Sequence, residues 1–157
     1  MGVIDQIIDP IVRGWYEQHG LADFLDKLYE VSSKQGFILD PKHGWFFRRL
    51  GDDNLYNQIG YMVKELILPR PTYLHHHTDV DEAIYVIRGH CKVYLKGTTE
   101  EFHELKAGKG LIIPMGVGHV IGPDAKEVAH IIQYYSALPK QSNIIIHKKI
   151  LDLSWWL

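Results

Sequence analysis

The feature that most constrains this chain is a histidine-rich stretch at residues 74–82, in which three consecutive histidines are followed by polar residues and a glutamate. A β-strand points alternate side chains to the same face. His75 and His77 therefore converge on one point, and His76 faces the other way. The polar residues that follow predict a turn that brings Glu82 back at the start of the next strand. Two imidazoles and a carboxylate aimed at one point predict a transition-metal site.

Together with a second stretch, residues 108–119, this segment resembles the paired signature motifs of the cupin family. The first motif reads H-x-H, three or four residues, E, six residues and G, and it is matched by His75, His77, Glu82 and Gly89. The second motif reads G, five residues, P-x-G, two residues and H, and it is matched by Gly108, Pro114, Gly116 and His119. The resemblance covers roughly residues 55–137 and implies that His119 is the fourth metal ligand.

Two positions depart from the pattern of that family. Pro69 stands where the first motif usually opens with glycine, and Pro123 stands where the second motif usually ends in asparagine. Neither is a ligand position, so these departures affect local turns and leave the metal site intact. The resemblance implies a mainly β fold, a cupin-type double-stranded β-helix (jelly-roll) barrel, with one metal site per chain.

The spacing of apolar residues also predicts a mainly β chain, preceded by a pair of α-helices. Residues 3–35 have helical periodicity, which is interrupted where Asp9 is expected to cap a helix restarting at Pro10. Gly36 is expected to end the second helix. Short strands are expected at 45–47, 55–68, 73–77, 82–88, 91–96, 101–105, 111–113, 118–121, 128–135 and 143–150. Such regularly spaced short strands favour a β-sandwich or barrel.

The domain organisation follows from this change of periodicity. We interpret residues 1–43 as a helical extension that packs on the barrel or on a dimer partner, and residues 44–157 as the barrel, with its core motifs at 69–123. The apolar tail at residues 155–157, Trp-Trp-Leu, is expected to pack on the barrel or on a second subunit. These apolar surfaces predict a homodimer.

Composition excludes several classes of protein. With 46% hydrophobic and 23% charged residues, the sequence is typical of an ordered globular protein. A net charge of −2 and the lack of a long basic run argue against nucleic-acid binding. No apolar run reaches the ~18 residues of a membrane span. The N-terminus lacks the features of a secretion signal, and the single cysteine, Cys91, suits a reducing compartment, so a cytoplasmic location is expected.

Tyrosines supply the candidate catalytic groups. Tyr73 lies two residues before His75 and is expected to share its inward direction, either as a catalytic group or, more often for such a residue, as a wall residue that packs beside the pocket. Tyr134 and Tyr135 are adjacent, so one of them must face inward, and the sequence does not say which. A phenol near a metal can donate a proton or bind an oxygen atom of a ligand. His130 lies on the same strand, one face of which lines the cavity.

Four cationic residues on or near predicted strands could hold an anionic substrate: Arg48, Lys64, Arg70 and Arg88. Long cationic side chains at strand ends more often lie in solvent, so the sequence does not favour any one of them.

The predicted ligand set allows several kinds of chemistry. Three neutral imidazoles and one carboxylate leave a divalent metal with one net positive charge and two open positions in octahedral geometry. Iron, manganese, nickel, zinc and copper all suit this set. A cupin-sized barrel holds a small oxygen-rich molecule. The sequence and the resemblance favour a metal-dependent oxidoreductase of dioxygenase or oxalate-degrading type. A metal-dependent sugar or small-acid isomerase, epimerase or lyase and a non-catalytic ligand-binding module are the alternatives.

Overall fold

A computed structural model describes residues 2–6, 9–51, 58, 60, 62–124, 127–137 and 144–146. The chain divides into two compact units, Met1–Arg48 and Arg49–Leu157. The predicted tail at 155–157 and the outer parts of the strands predicted at 55–68 and 143–150 lie outside the described residues.

The first unit is mainly helical. It contains a 3-10 helix (Val3–Gln6), α1 (Pro10–Gln18), α2 (Ala22–Lys34), β1 (Ile38–Asp40) and all but the last residue of β2 (Trp45–Arg49). Strands β1 and β2 pair antiparallel. The sequence did not predict β1.

The beginning of α1 confirms the interpretation of the Asp9–Pro10 pair. The side chain of Asp9 accepts hydrogen bonds from the backbone amides of Ile11, at 2.8 Å, and Val12, at 3.3 Å. Proline at the first helical position has no amide hydrogen to leave unpaired. The second helix ends before Gly36, as predicted, and the left-handed backbone of Gly36, with φ of 87°, is the conformation that glycine adopts at least cost.

The second unit is built of β-strands. Their bounds are Met62–Leu68 (β3), His75–His77 (β4), Glu82–Arg88 (β5), His90–Lys96 (β6), Glu100–Lys106 (β7), Gly110–Ile113 (β8), Gly118–Pro123 (β9), Ala129–Tyr135 (β10) and Ile144–Ile146 (β11). One sheet of this unit has the order β3-β10-β5-β8, and the other has the order β11-β4-β9-β6-β7. The strand pairs of both sheets are antiparallel.

The two sheets are not closed into a barrel, which corrects that part of the prediction. Among the described residues, no hydrogen-bonded strand pair joins one sheet to the other. Apolar side chains of the two sheets are buried instead, including Val86 and Ile131 on one sheet and Val93 and Ile121 on the other. The core is therefore closed by side-chain packing between two sheets, as in a sandwich.

Gly89 occupies the tight connection between β5 and β6. Its φ of 76° lies in the left-handed region, and a Cβ atom there would collide with the backbone carbonyl oxygen of Val128. Both restrictions require glycine, which explains why the first motif ends in this residue.

Candidate metal centre

The four predicted ligands come from three strands and both sheets. His75 and His77 lie on β4, His119 lies on β9, and Glu82 is the first residue of β5. His75 is directly opposite His119 in the antiparallel β4–β9 pair, so their side chains project from the same face. Glu82 approaches from the other sheet. The site therefore lies between the two sheets of the second unit.

One potential ligand atom from each of these four residues lies within 4.8 Å of the other three. Glu82 Oε2 lies 2.9 Å from His119 Nε2 and 3.4 Å from His77 Nε2. Donor atoms about 2.1 Å from a shared ion lie about 3 Å apart when they are adjacent. These two separations are therefore close to those that a common metal ion requires.

The burial of the four side chains, and the lack of partners for their polar atoms, indicate whether they fit a cation. His77, Glu82 and His119 are 3%, 1% and 1% exposed, and His75 is half-buried. Among the described residues, Nε2 of His77, Nε2 of His119 and Oε2 of Glu82 have no hydrogen-bond partner of normal geometry. A buried polar atom without a partner is unfavourable, by about 1–3 kcal/mol. A cation at the point where these atoms meet would satisfy all of them.

Backbone carbonyls orient two of the imidazoles. Nδ1 of His75 lies 2.7 Å from the carbonyl oxygen of Tyr73, and Nδ1 of His119 lies 3.0 Å from that of Val117. A carbonyl can only accept, so each Nδ1 must donate its proton. Each Nε2 then carries the lone pair, which is the tautomer that a metal ligand needs, and Nε2 of His119 lies 2.9 Å from Oε2 of Glu82.

Gln133 orients the carboxylate and was not predicted from the sequence. Its Nε2 donates a hydrogen bond to Oε1 of Glu82, and both side chains are buried. This contact leaves Oε2 of Glu82 directed at the two imidazoles. The available signal was strand alternation, since Gln133 is a polar residue between the inward Ile131 and Tyr135 on β10.

Asp81 ties the two motifs together, and the sequence did not single it out. Its Oδ1 accepts a hydrogen bond from the amide of Met115 at 2.9 Å. The adjacent amide of Gly116 donates to the carbonyl oxygen of His77 at 2.7 Å. On the other side, Asp81 and Ser136 exchange hydrogen bonds, at 2.9 Å and 3.0 Å. The turn before Glu82 is thereby fixed to the loop that precedes His119.

Electrostatics favour the protonation states that a metal requires at Glu82 and His75, but not at His119. Burial raises the pKa of Glu82, but the charge of His119 and polar contacts with His119 and His77 outweigh it and hold that pKa well below its usual range. Burial, together with repulsion by His119, lowers the pKa of His75 to about 3. Glu82 is therefore ionised and His75 neutral near pH 7. Burial lowers the pKa of His119, but attraction to Glu82 outweighs it and raises that pKa, so a proton competes with a metal there.

The structure distinguishes the candidate tyrosines. Tyr135 is buried, and its ring centroid lies 5.2 Å from that of His77. Burial and the charge of Glu82 raise the pKa of Tyr135 well above its usual value, so its phenol keeps its proton. Tyr134 is 38% exposed on the opposite face of β10. Strand β4 begins at His75, so strand alternation does not extend to Tyr73, whose carbonyl oxygen holds His75.

The structure also gives different positions and contacts to the four cationic candidates. Arg48 belongs to the first unit and donates to the carbonyl oxygen of Gln35 at 2.6 Å. Arg88 is exposed at the end of β5. The buried Arg70 guanidinium lies 5.5 Å from the centroid of the Tyr73 ring. Lys64 Nζ lies 5.4 Å from the centroid of Tyr135.

Two other histidines of interest do not point at the metal centre. His76 pairs with Ile145, which is 44% exposed, so both lie on the outer face of their sheet, as alternation predicts. His130 Nε2 lies 2.8 Å from Oε2 of Glu65. On β10, His130 is three residues from Gln133, and on β3, Glu65 is next to Lys64, so alternation points both side chains away from the face that carries Gln133 and Lys64. The His130–Glu65 pair therefore lies on the face of the sheet opposite the metal centre.

Solved structures with the same fold are cupins. Oxalate decarboxylase from Bacillus subtilis has a TM-score of 0.59 and 17% identity, covering 70% of this chain and 29% of that chain. An oxalate oxidase has a TM-score of 0.50 and 20% identity, covering 56% of this chain and 46% of that chain. The coconut allergen cocosin has a TM-score of 0.55 and 13% identity, covering 64% of this chain and 28% of that chain.

These likenesses show the fold. The chain has the cupin fold, as its two motifs predict, and it carries the residues of a possible metal site. It spans less than half the length of each of these solved chains. Neither protein-family models nor curated protein sequences give a match. Neither of the described α-helices combines the length and hydropathy that a membrane span requires.

Proposed function

We propose that this protein is a metal-dependent enzyme that holds one divalent transition metal per chain on His75, His77, Glu82 and His119. The observation that carries this proposal is the convergence of four potential ligand atoms from three strands, within 4.8 Å of one another. Three of these atoms are buried and have no hydrogen-bond partner of normal geometry within the described part of the chain. A bound cation would remove the unfavourable free energy of those three atoms together.

The donor set determines what the centre can do. Three neutral imidazoles and one carboxylate leave a divalent ion with one positive charge, and two positions of an octahedron remain for a substrate. A bound metal would supply Lewis acidity and, if it is redox-active, electron transfer with dioxygen. The protein residues would bind the ion, orient Glu82 through Gln133 and exclude water from a buried site.

We propose an oxidoreductase of oxalate-degrading or dioxygenase type, acting on a small oxygen-rich anion. The net positive charge of the proposed centre favours a carboxylate substrate. Two solved proteins with this fold are named for their action on oxalate, although each is at most 20% identical to this chain. Tyr135 is the candidate proton donor, because it is the tyrosine of the adjacent pair that lies against a ligand.

The test begins with the metal content of full-length protein purified without a metal-affinity tag. Elemental analysis should find close to one transition metal per chain, and less than about half would contradict the proposal. The metal-loaded protein is then incubated with oxalate. Loss of carbon dioxide from oxalate, with uptake of one proton, yields formate. Oxidation of oxalate yields two molecules of carbon dioxide and passes two electrons to dioxygen, which takes up two protons from solvent and gives hydrogen peroxide. Assays for formate, peroxide and oxygen uptake therefore separate the two reactions.

The other outcomes identify the alternatives. A redox-inactive metal with no oxygen uptake on a panel of small acids, but with conversion of a sugar or small acid, would favour an isomerase, epimerase or lyase. Ligand binding that is weakened by Glu82→Gln, without turnover of any compound, would favour a binding module. Both results contradict the oxidoreductase proposal and leave the metal site in place.

A further inference from the structure

Lys64 lies on the inner face of the sheet that carries Glu82. In the antiparallel β3–β10 pair, Lys64 is directly opposite Gln133. Directly opposed residues project from the same face of a sheet. The Gln133 side chain reaches the carboxylate of Glu82, so this face is the one that contains the metal centre. Lys64 is half-buried there.

Tyr135 connects Lys64 with the ligands. The Lys64 ammonium lies 5.4 Å from the centroid of the Tyr135 ring, within the range of a cation–π interaction. The same ring lies 5.2 Å, between centroids, from His77. A positive charge is therefore held one aromatic side chain away from a metal ligand. Arg70 and Arg48 also lie over aromatic rings, but these are the rings of Tyr73 and Phe37, not that of Tyr135.

Gln133 provides a second polar group beside this cation. Its Nε2 donates a hydrogen bond to Glu82, whereas its Oε1 is buried and has no hydrogen-bond partner in the described part of the chain. A free acceptor next to a cation and a phenol suits a ligand that carries both negative charge and a donor group. The inner face of this sheet thus has polar groups beyond those that the metal uses.

We propose that Lys64 is a specificity-determining residue that binds an anionic group of the substrate, so that the site selects molecules with a second carboxylate beyond the group at the metal. This inference rests on the proposed function, since the other end of the substrate would lie at the metal centre. The ammonium adds a second positive charge to that of the centre, and it can exchange its contact with the Tyr135 ring for a charge-assisted hydrogen bond.

The test compares diacids with their monoamides on full-length protein loaded with Co(II). The probe pairs are oxalate with oxamate, and malonate with malonamate, which differ by one negative charge at nearly constant size. Wild-type protein should bind the diacid of at least one pair about tenfold more tightly, as measured by calorimetry. Lys64→Met should reduce the ratio of the monoamide Kd to the diacid Kd to about twofold or less. Lys64→Arg should retain most of the ratio, because the guanidinium keeps the charge.

Lys106→Met is the matched control, because Lys106 is exposed at the end of β7. It should leave the ratio at its wild-type value. Co(II) absorption after each titration verifies that the metal stays bound, and thermal unfolding verifies that each variant is folded.

Three results would overturn the inference. In the first, wild-type protein binds neither diacid more tightly than its monoamide. In the second, Lys64→Met weakens binding of the diacid and of the monoamide equally. In the third, Lys64→Met leaves the ratio of the two affinities unchanged. Equal weakening would indicate that Lys64 supports Tyr135 and does not contact substrate. A wild-type chain that takes up no Co(II) contradicts the proposed function instead, and the inference fails with it.

Discussion

Glu82 Oε2 lies 2.9 Å from His119 Nε2, although the two residues belong to different sheets. This contact exists only when the sheets are packed against each other. A metal that binds both residues would therefore bind the folded chain in preference to the unfolded chain, and metal binding would stabilise the fold.

Strand alternation at β4 gives the first prediction. His77→Ala should lower the metal content well below half an ion per chain, because it removes a buried ligand. His76→Ala is the control and should leave the content near one, since His76 lies on the outer face opposite Ile145. Elemental analysis of both variants measures the difference. Equal metal loss in the two variants would contradict the strand direction.

The second prediction concerns the contact between Gln133 and Glu82. Gln133→Leu should weaken metal affinity about tenfold to a hundredfold, because Oε1 of Glu82 loses its only side-chain donor among the described residues and the carboxylate is no longer oriented. Competition with a fluorescent chelator measures the affinity. Tyr134→Leu, an outer-face change one residue away, should leave affinity unchanged. Affinity within twofold of wild type for Gln133→Leu would show that the amide does not position the ligand.

The two adjacent tyrosines give the third prediction. If the protein turns over oxalate, Tyr135→Phe should reduce the rate about a hundredfold while the metal stays bound, because the phenol that donates in the site is lost and the ring is kept. Tyr134→Phe should have less than a twofold effect, since Tyr134 lies on the opposite face. The rate of product formation at saturating substrate provides the measurement. A larger loss for Tyr134→Phe would reverse the assignment.

Cys91 gives the fourth prediction, which concerns pH. Burial raises the pKa of its thiol to about 12. A raised thiol pKa means that the unreactive protonated form dominates below pH 12, whereas an exposed thiol ionises near pH 8.5. A chromogenic disulfide reagent at pH 8 should therefore label Cys91 at least about a hundredfold more slowly in the native protein than in denaturant. Rapid stoichiometric labelling of the native protein would show that the thiol is exposed.

Much of the candidate metal centre could be predicted, because the positions of its residues depend on neighbours along the chain. The directions of His75 and His77 follow from alternation within one strand, and the spacing of the second motif indicated His119 through resemblance to a known family. Gln133 could not be found in this way, since its role depends on the pairing of β10 with β5, and Gln133 and Glu82 are 51 positions apart in the sequence. The position of Tyr135 rather than Tyr134 against the ligands also depends on that register.

The mainly β, cupin-type fold is confirmed, and the structure corrects only the expectation that its sheets form a barrel. A regular series of short strands is compatible with a barrel and with two packed sheets, because both have the same local alternation. The difference lies in which strand edges are paired, and edge pairing is a long-range property.

The sequence by itself determined the mainly β fold, the cap at Asp9, the two motifs and the residues that could hold a metal, because each depends on neighbours along the chain. The tertiary structure decided that the sheets stay open, that Gln133 orients Glu82, and that Lys64 and Tyr135 share the inner face with the ligands. The physical reason is that strand alternation sets the face of a side chain, whereas register and sheet packing set which side chains on that face meet.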